Sequence, residues 1–501
     1  MTDPVTGART DRVTVVTFPQ PTVNGPLHVG HLSGPYLAAD TAARAARARG
    51  ERVVVTSGLD VHQNYVLTRA EREGLDVGAM TTEFRADIKE TYRQARIGYD
   101  RFSDPLGDEH APIVRALMNH LIASGATPLR EVTLHGCADC GRTLHESYLV
   151  GLCATCEAPA AGGACEQCGS FTRVDTMVDP VCGRCGGPPR AFRATVPVLR
   201  MEEHRAALTD AWLRAQFPPA VRAVIGRQLA AGLPEIALAY PTNWGIEGDQ
   251  ALSGLRIGPY TEVALTDLYN IARAVDPAAT DLPGYRAALG RIDNLWHFLG
   301  LDNAYWYAVY WQAVWAACGV FPLPISGLVV NQFYTLDGEK FSTSRNHAIW
   351  ATELLRAQDP SIVRLFLAWD RPDRYQSDFT WNSFRAFAAR VEPLLNGSHQ
   401  VTEPLAPALA ARELARGQAA LRPAGFDPAL AARCLITLLS GGADVGHLRT
   451  ALTGLDDAVA DAPRAVLAEA GAVLQAAAPS LGTVDGAGVD RPGPLLAGKG
   501  E

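Results

Sequence analysis

The feature that most constrains the fold is a strand–helix–strand pattern near the start of the chain. Val13–Phe18 is an apolar run, residues 32–48 have helical periodicity, and residues 52–57 form a second run of the buried-strand type. Two buried strands joined by one helix make a βαβ unit, which implies parallel pairing. We therefore predict an α/β fold with a doubly wound parallel sheet of the Rossmann type, whose ligands bind at the carboxyl ends of the strands.

The loop between the first strand and the helix contains two histidines around a glycine: His28, Gly30 and His31. A helix start offers free backbone N–H groups and the positive end of the helix dipole, so it suits a phosphate, and histidines there add donors. On these residues alone, ordinary capping or surface histidines remain the alternative.

Eight of the ten cysteines fall within residues 131–190 as four C-x-x-C pairs. The pairs are Cys137/Cys140, Cys153/Cys156, Cys165/Cys168 and Cys182/Cys185. Two such pairs complete a tetrahedral four-cysteine site, so the eight ligands fit two structural Zn²⁺ ions. Free buried thiols and an iron–sulfur centre are the alternatives. We predict that this segment is an insertion without a hydrophobic core of its own, and that the isolated Cys318 and Cys434 are core residues.

Around this insertion, the sequence divides into five predicted segments. They are the first half of a nucleotide-binding domain (1–130), the zinc-knuckle insertion (131–190), the second half of the domain (191–350), a C-terminal α-helical bundle (351–480) and a disordered tail (481–501). Within the second half we predict a helix over 305–317, a strand over 325–330 and a loop over 335–345.

Composition narrows the class of protein. Apolar and charged contents of 48% and 20% are typical of a soluble globular protein. The net charge of −8 provides no global positive field for nucleic acid, although a local basic face remains possible. No apolar run is long enough for a membrane span or a signal peptide, so we expect a cytoplasmic monomer without a membrane partner.

Three features in this order resemble a class I aminoacyl-tRNA synthetase of the methionyl type. They are the strand–H-x-G-H–helix at 28–31, the cysteine insertion, and the loop 340–345, which reads KFSTSR. The family has HIGH and KMSKS signatures at these two loops and zinc knuckles between them. Supporting stretches are 24–36, 58–62, 244–246 and 297–302. The resemblance covers residues 12–400 and implies adenylate chemistry.

The resemblance also implies roles for individual residues. Catalytic residues would be His28, His31, Lys340 and Thr343. ATP, accompanied by Mg²⁺, would be bound by Gly30, Gly300, Asp302, Ser342, Ser344 and Arg345, with the strand 325–330 presenting backbone to the adenine. The amino-acid substrate would be bound by Pro19, Asp60, Glu262, Asn303, Tyr307 and Trp311, with Asp60 on its α-ammonium group. On sequence alone, Asp60 is equally well explained as a cap of a helix or turn.

Two departures from the family pattern concern the substrates. Thr343 stands where the family has a second lysine, and a neutral hydroxyl makes a weaker bond to phosphate than a charged amine, so we expect slower adenylation. Glu262, Asn303 and Tyr307 replace a tryptophan, an apolar residue and a histidine of the methionine pocket. Because an unpaired buried polar group costs about 1–3 kcal/mol, we expect a substrate that is polar or carries an amino group. A slip of a few residues in the alignment is the alternative.

A third departure lies in the C-terminal region. No tryptophan follows Trp381, and acidic residues outnumber basic ones after residue 400. Aromatic stacking and phosphate neutralisation are how proteins hold single-stranded RNA. Three functions therefore stay open: an ATP-dependent enzyme that loads an amino acid onto tRNA, a tRNA-independent ligase that acylates a small molecule or carrier, and a non-catalytic regulatory paralogue.

Overall fold

The first part of the chain contains the predicted βαβ unit. The computed structural model describes residues 13–341, 347–443 and 445–455. The strands of this part are β1 (Val13–Thr17), β2 (Val53–Gly58) and β3 (Arg101–Ser103), and its helices are α1 (Val29–His31), α2 (Leu37–Ala48), α3 (Asn64–Glu73), α4 (Val77–Gln94) and α5 (His110–Ala123). A π-helical turn over Leu32–Tyr36 joins α1 to α2, and Pro35, which lacks an N–H donor, lies within it.

The cysteine-rich insertion extends from the ends of a long antiparallel ribbon. Its strands are β4 (Leu129–Cys137), β5 (Leu149–Cys153), β6 (Pro159–Ala161), β7 (Gly163–Ala164), β8 (Phe171–Thr172), β9 (Met177–Cys182) and β10 (Pro189–Arg200). Strands β4 and β10 pair over their full common length, from Leu129 opposite Pro197 to Cys137 opposite Pro189. The prediction that this segment has no core of its own is wrong, because a small cluster of buried side chains lies behind the cysteines: Cys137, Leu144, Tyr148, Leu149, Met177 and Cys182.

The chain then returns to the central sheet. The next strands are β11 (Glu235–Ala237), β12 (Ala239–Tyr240), β13 (Arg256–Ile257), β14 (Ile292–Gly300) and β15 (Gly327–Asn331), and the helices are α6 (Arg205–Arg214), α7 (Pro219–Ala231), α8 (Pro259–Val275), α9 (Leu282–Leu289) and α10 (Trp311–Ala317). The helix predicted over 305–317 is confirmed, although its first turn, Trp306–Tyr310, is π-helical. The strand predicted over 325–330 is confirmed as β15.

The central sheet has five parallel strands in the order β15-β14-β1-β2-β3. This confirms the doubly wound α/β fold. The chain runs from β1 through β2 to β3 and then crosses to β14, on the other side of β1, where Thr17 pairs opposite His297. The carboxyl ends of these two strands therefore form the switch point where such sheets bind ligands.

The predicted loop 335–345 is wrong in its first part. The last strands are β16 (Tyr334–Leu336), β17 (Glu339–Lys340) and β18 (Ser377–Phe379). Strands β16 and β17 form a hairpin whose two central residues, Asp337 and Gly338, have φ of 49° and 81°. This Asp-Gly pair is the preferred sequence for a two-residue hairpin turn. Residues 342–346 lie outside the described residues.

The C-terminal helices pack directly against the first half of the sheet. They are α11 (Ala351–Ala357), α12 (Pro360–Trp369), α13 (Trp381–Leu395), α14 (Pro407–Ala420), α15 (Pro428–Ser440) and α16 (Gly446–Thr453). Their buried faces and that of α2 belong to one hydrophobic cluster. Arg364 on α12 is buried there and donates to Asp40 at 2.6 Å and to the carbonyl oxygen of Ala95 at 2.6 Å. The predicted tail, 481–501, lies outside the described residues.

Two further sequence predictions concern burial and membranes. Cys318 and Cys434 are both fully buried, which confirms them as core residues. Among the helices of the described ranges, none combines the length and apolar character needed to cross a membrane.

Candidate active site

The two histidines lie at the start of the helical segment that follows β1. The backbone N–H of His28 donates to Nδ1 of His31 at 3.1 Å, and the two rings stack with centroids 3.8 Å apart. Burial, together with the charges of His31 and Lys340, lowers the pKa of His28 well below its usual value, and burial lowers that of His31 to about 4. Both rings are therefore neutral near pH 7. Because Nδ1 of His31 is an acceptor, its proton resides on Nε2, which is free to donate to a ligand.

The hairpin β16–β17 brings residues 340 and 341, the described part of the second predicted nucleotide motif, to the first. Phe341 stacks on His28 with ring centroids 4.7 Å apart and an interplanar angle of 10°. Gly30 lies beneath both rings, and a Cβ there would lie 3.0 Å from the His28 ring and 3.3 Å from Phe341. A larger residue at position 30 would thus push the two motifs apart. Ser342, Thr343, Ser344 and Arg345 lie outside the described residues, so their predicted roles stay predictions.

Lys340 extends from this hairpin towards the zinc-knuckle insertion. Its Nζ lies 2.9 Å from Oε2 of Glu166 and 4.5 Å from the centre of the Phe333 ring. Glu166 stands between the ligand cysteines Cys165 and Cys168, so the insertion reaches the nucleotide side of the sheet. Both partners of this ion pair are more than half exposed.

Gly300 and Asp302 follow the carboxyl end of β14, on the other side of the switch point. A Cβ at position 300 would lie 2.3 Å from Oδ1 of Asp302, so only glycine allows the carboxylate this position. Burial and the nearby Glu166 carboxylate raise the pKa of Asp302 to about 6. The half-buried Asn303 is the next residue in the same turn.

Asp60 lies after β2 and is 5% exposed. Its backbone is tied to the loop after β1, since its N–H donates to the carbonyl oxygen of Pro21 at 3.0 Å and its carbonyl accepts from Val23 at 2.9 Å. Burial and the Glu262 carboxylate raise the pKa of Asp60 to about 8. The Asp60 carboxyl group is therefore largely protonated near pH 7, and a cation bound beside it would favour the ionised form.

Two residues that were not predicted connect the predicted amino-acid site. Asp267 on α8 accepts hydrogen bonds from Nε2 of Gln20 at 2.9 Å and from Nε1 of Trp311 at 2.9 Å. Gln20 directly follows Pro19, and Trp311 stacks on Tyr307 with ring centroids 5.0 Å apart. Asp267 therefore joins both sides of the predicted pocket. The available signal was a second acidic residue in the same helix, five positions after Glu262.

Glu262 occupies a different position on α8, inside a network of histidines. His62 donates to it at 2.8 Å and His110 at 2.9 Å, and the other nitrogen of His110 lies 2.8 Å from the Tyr269 hydroxyl. Burial alone would raise the pKa of Glu262, but the charge of His62 and the two hydrogen bonds outweigh it and lower the pKa to about 2. The same pairing raises the pKa of His62. The assignment of Glu262 to substrate binding stays a prediction.

The eight cysteines gather into two groups of four. The outer pairs form one group, Cys137, Cys140, Cys182 and Cys185, and the inner pairs form the other, Cys153, Cys156, Cys165 and Cys168. Sulfur–sulfur distances between opposing pairs run from 3.4 to 3.8 Å. These distances suit four thiolates about 2.3 Å from one tetrahedral Zn²⁺ and are far longer than a disulfide. The residues present therefore fit two zinc ions, one for each nested group.

A cavity of about 410 Å³ lies between the insertion and the amino-acid site. Its walls include the aromatic residues Tyr240, Tyr260 and Trp306, the last two stacked with centroids 3.4 Å apart. Glu146 lies in the same wall, is 3% exposed, and accepts from the backbone N–H of Asn64 at 2.9 Å. Its other carboxylate oxygen has no partner among the described residues. The lining is more apolar than polar, and its acidic residues are Glu146, Asp175 and Glu235.

Comparison with known proteins gives one consistent result. A family model described as tRNA synthetases class I (M) matches residues 14–392. The methionine–tRNA ligase of Pyrococcus furiosus is 29% identical over 390 residues, which is 74% of this chain and 53% of that protein. That of Pyrococcus horikoshii is 30% identical over 402 residues, 76% of this chain and 54% of that protein. The chain thus spans about half the length of these curated relatives.

Solved structures agree in fold. Mycobacterium tuberculosis methionyl-tRNA synthetase in complex with methionyl-adenylate matches with a TM-score of 0.64 and 18% identity, over 85% of this chain and 82% of that one. A second structure of the same enzyme bound by methionyl-adenylate matches with a TM-score of 0.63.

Proposed function

The chain belongs to the family of class I tRNA synthetases of the methionyl type, and we propose that it activates an amino acid with ATP and transfers the aminoacyl group to tRNA. The observation that carries the proposal is the contact of Phe341 with His28 across Gly30, because it joins two nucleotide motifs that are more than three hundred residues apart in sequence. They meet at the switch point of the sheet, where a nucleotide is expected.

In this proposal the protein positions the reactants and stabilises phosphate charge. The amino-acid carboxylate attacks the α-phosphorus of ATP, an O–P bond forms as the bond from the α-phosphorus to the bridging oxygen breaks, and pyrophosphate leaves; Mg²⁺ accompanying ATP would neutralise part of the phosphate charge. His28 and His31 donate to the phosphates as neutral rings, and Lys340 supplies positive charge. Asp302 holds the ribose hydroxyls, and Asp60 holds the α-ammonium group of the amino acid. Preorganised donors of this kind account for much of the rate in such reactions.

The amino-acid substrate is proposed to be polar and not methionine. Gln20 and Asp267 supply two buried polar side chains where the predicted pocket is formed, next to Pro19 and Trp311. The two side chains hydrogen-bond each other, and a thioether offers no donor to the remaining lone pairs of the Asp267 carboxylate. The experiment is ATP–pyrophosphate exchange across the twenty amino acids: exchange with a polar amino acid supports the proposal, and strongest exchange with methionine contradicts the substrate assignment.

A second candidate acceptor is a small amine or carrier instead of tRNA. The cavity of about 410 Å³ favours this acceptor, because it borders the predicted amino-acid site: the ring centroid of its wall residue Trp306 lies 6.0 Å from that of Trp311. Glu146 adds an acidic group to the wall. In that reaction the amine would attack the adenylate carbonyl, a C–N bond would form, and AMP would leave. Adding bulk tRNA to the adenylation assay separates the two acceptors: charged RNA supports the first, and turnover without RNA supports the second.

We also propose that the two cysteine groups hold structural zinc. All ligands are thiolates in closed four-sulfur groups, so zinc there would stabilise the fold and would not activate water. We expect two zinc atoms per chain by elemental analysis. Cys140→Ser and Cys156→Ser should each remove one, and the double variant Cys140→Ser/Cys182→Ser should also remove only one; loss of both zinc atoms from that double variant would contradict the nested pairing.

A further inference from the structure

Asp267 is a buried carboxylate that lacks a cationic partner. It is 2% exposed, and in residues 13–341, 347–443 and 445–455 no lysine, arginine or histidine forms an ion pair with it. Its two hydrogen-bond donors, the amide of Gln20 and the indole of Trp311, are neutral. Buried charges in proteins are ordinarily paired or bound to a metal, because an unpaired one is expensive to keep out of water. The missing cation is therefore a feature that needs an explanation.

The surroundings of Asp267 identify where a cation would come from. Each carboxylate oxygen accepts one hydrogen bond, at 2.9 Å in both cases, which leaves lone pairs for a further donor. Tyr307, which stacks on Trp311, lies close enough to both Asp267 and Asp60 for the two carboxylates to raise the pKa of its hydroxyl, beyond the effect of burial. Two acidic groups thus border one tyrosine in the predicted amino-acid pocket.

We propose that Asp267, held in place by Gln20 and Trp311, is a specificity-determining residue that selects an amino acid with a positively charged side chain. The α-ammonium group of the substrate would pair with Asp60 and the side-chain cation with Asp267. This inference rests on the proposed amino-acid activation and adds the class of substrate. A neutral side chain would leave the Asp267 carboxylate unpaired, so the charge itself discriminates against methionine and other neutral amino acids.

The test compares charged and neutral side chains of equal length in the full-length, zinc-loaded protein. ATP–pyrophosphate exchange is measured with lysine, ornithine and arginine, and with norleucine, methionine and glutamine. We expect the best basic amino acid to exceed its neutral counterparts by at least about a hundredfold in kcat/KM. Exchange that is strongest with a neutral amino acid overturns the inference and leaves the proposed activation intact. Exchange with none of them counts against activation of these amino acids.

A variant separates selection from a structural role. Asp267→Asn keeps the shape and an acceptor, so it should lower kcat/KM for the basic substrate by about a hundredfold, mainly through KM, and change that for glutamine by less than about fivefold. Asp276→Asn, at the end of the same helix, is the matched control and should change neither. Equal losses for all substrates would assign Asp267 a structural role and contradict the inference.

One measurement needs neither a variant nor turnover. Thermal denaturation of the unaltered protein is followed with lysine, ornithine or arginine, or with norleucine, each in the presence of ATP. Stabilisation by a basic amino acid and not by norleucine is expected, since a ligand raises the melting temperature only through binding to the folded state. Equal shifts with the basic and the neutral amino acid, or no shift with any of lysine, ornithine and arginine, contradict the inference even if exchange is undetectable.

Discussion

The nucleotide side and the amino-acid side of the site lie on neighbouring strands, but they differ in how they depart from the family pattern. On the proposed nucleotide side, His28, Gly30 and Lys340 match the motifs of the resemblance, and Phe341 stacks on His28. On the amino-acid side, Gln20 and Asp267 form a polar pair beside Trp311. In our proposal, substrate choice changes while the residues proposed to bind phosphate stay, because the two tasks use separate side chains around one sheet edge.

The largest effect on activity is expected from removing the positive charge of Lys340 on the proposed nucleotide side. Lys340→Ala should lower kcat/KM in ATP–pyrophosphate exchange by about 10²–10³-fold, because a preorganised charge on the transition state is typically worth about 3–4 kcal/mol. Lys89→Ala is the control: Lys89 pairs with Asp104 at 3.1 Å and lies over the Phe102 ring, away from the proposed site, so its loss should change the rate by less than about twofold. A small effect of Lys340→Ala would contradict the proposed role.

The two sides should also differ in pH dependence. Because the pKa of Asp60 is about 8, its carboxyl group is mostly protonated below pH 8 and must lose that proton before it can pair with the α-ammonium group. The affinity for the amino acid should therefore rise as the pH rises towards 8. We expect its KM to fall by up to about tenfold per unit from pH 6 to 8. Both histidines stay neutral over this range, since the pKa of His31 is about 4 and that of His28 is also lowered, so KM for ATP should stay nearly constant. Parallel pH profiles for both substrates would refute the distinction.

Thr343→Lys restores the lysine that the family has at this position. Because charge-assisted hydrogen bonds are roughly twice as strong as neutral ones, we expect exchange to speed up by about five- to tenfold. Thr343→Met introduces a side chain about as long as that of lysine but uncharged, and it should not increase the rate of exchange. A lysine variant that is no faster than the unaltered protein would show that the threonine does not limit adenylation.

The smallest effect is expected where the insertion meets the nucleotide side. Glu166→Gln removes the partner of Lys340, but exposed ion pairs contribute about 0–1 kcal/mol. It should lower KM for ATP by no more than about threefold, with Glu203→Gln, another exposed glutamate, as the control. A change above tenfold would mean that the insertion controls the nucleotide loop.

Sequence patterns predicted the parallel sheet and the two four-cysteine groups, because both depend on local periodicity and spacing. The sequence patterns did not predict which C-x-x-C pairs share an ion, because any two such turns can supply four thiolates. Only the fold shows that the first pair joins the fourth and the second joins the third. Asp267 was missed because an acidic residue in a helix ordinarily faces solvent, whereas packing against Trp311 buries this one. The partners of Glu262, His62 and His110, are 200 and 152 residues away, beyond any local pattern.

The central claim is that the proposed adenylation site serves an amino acid other than methionine. The most direct measurement is mass spectrometry of the adenylate formed from ATP and an equimolar mixture of the twenty amino acids, with pyrophosphatase present to drive formation. The account predicts one dominant adenylate with the mass of a polar, basic amino acid. Methionyl adenylate as the main product, or none above the Lys340→Ala background, would contradict it.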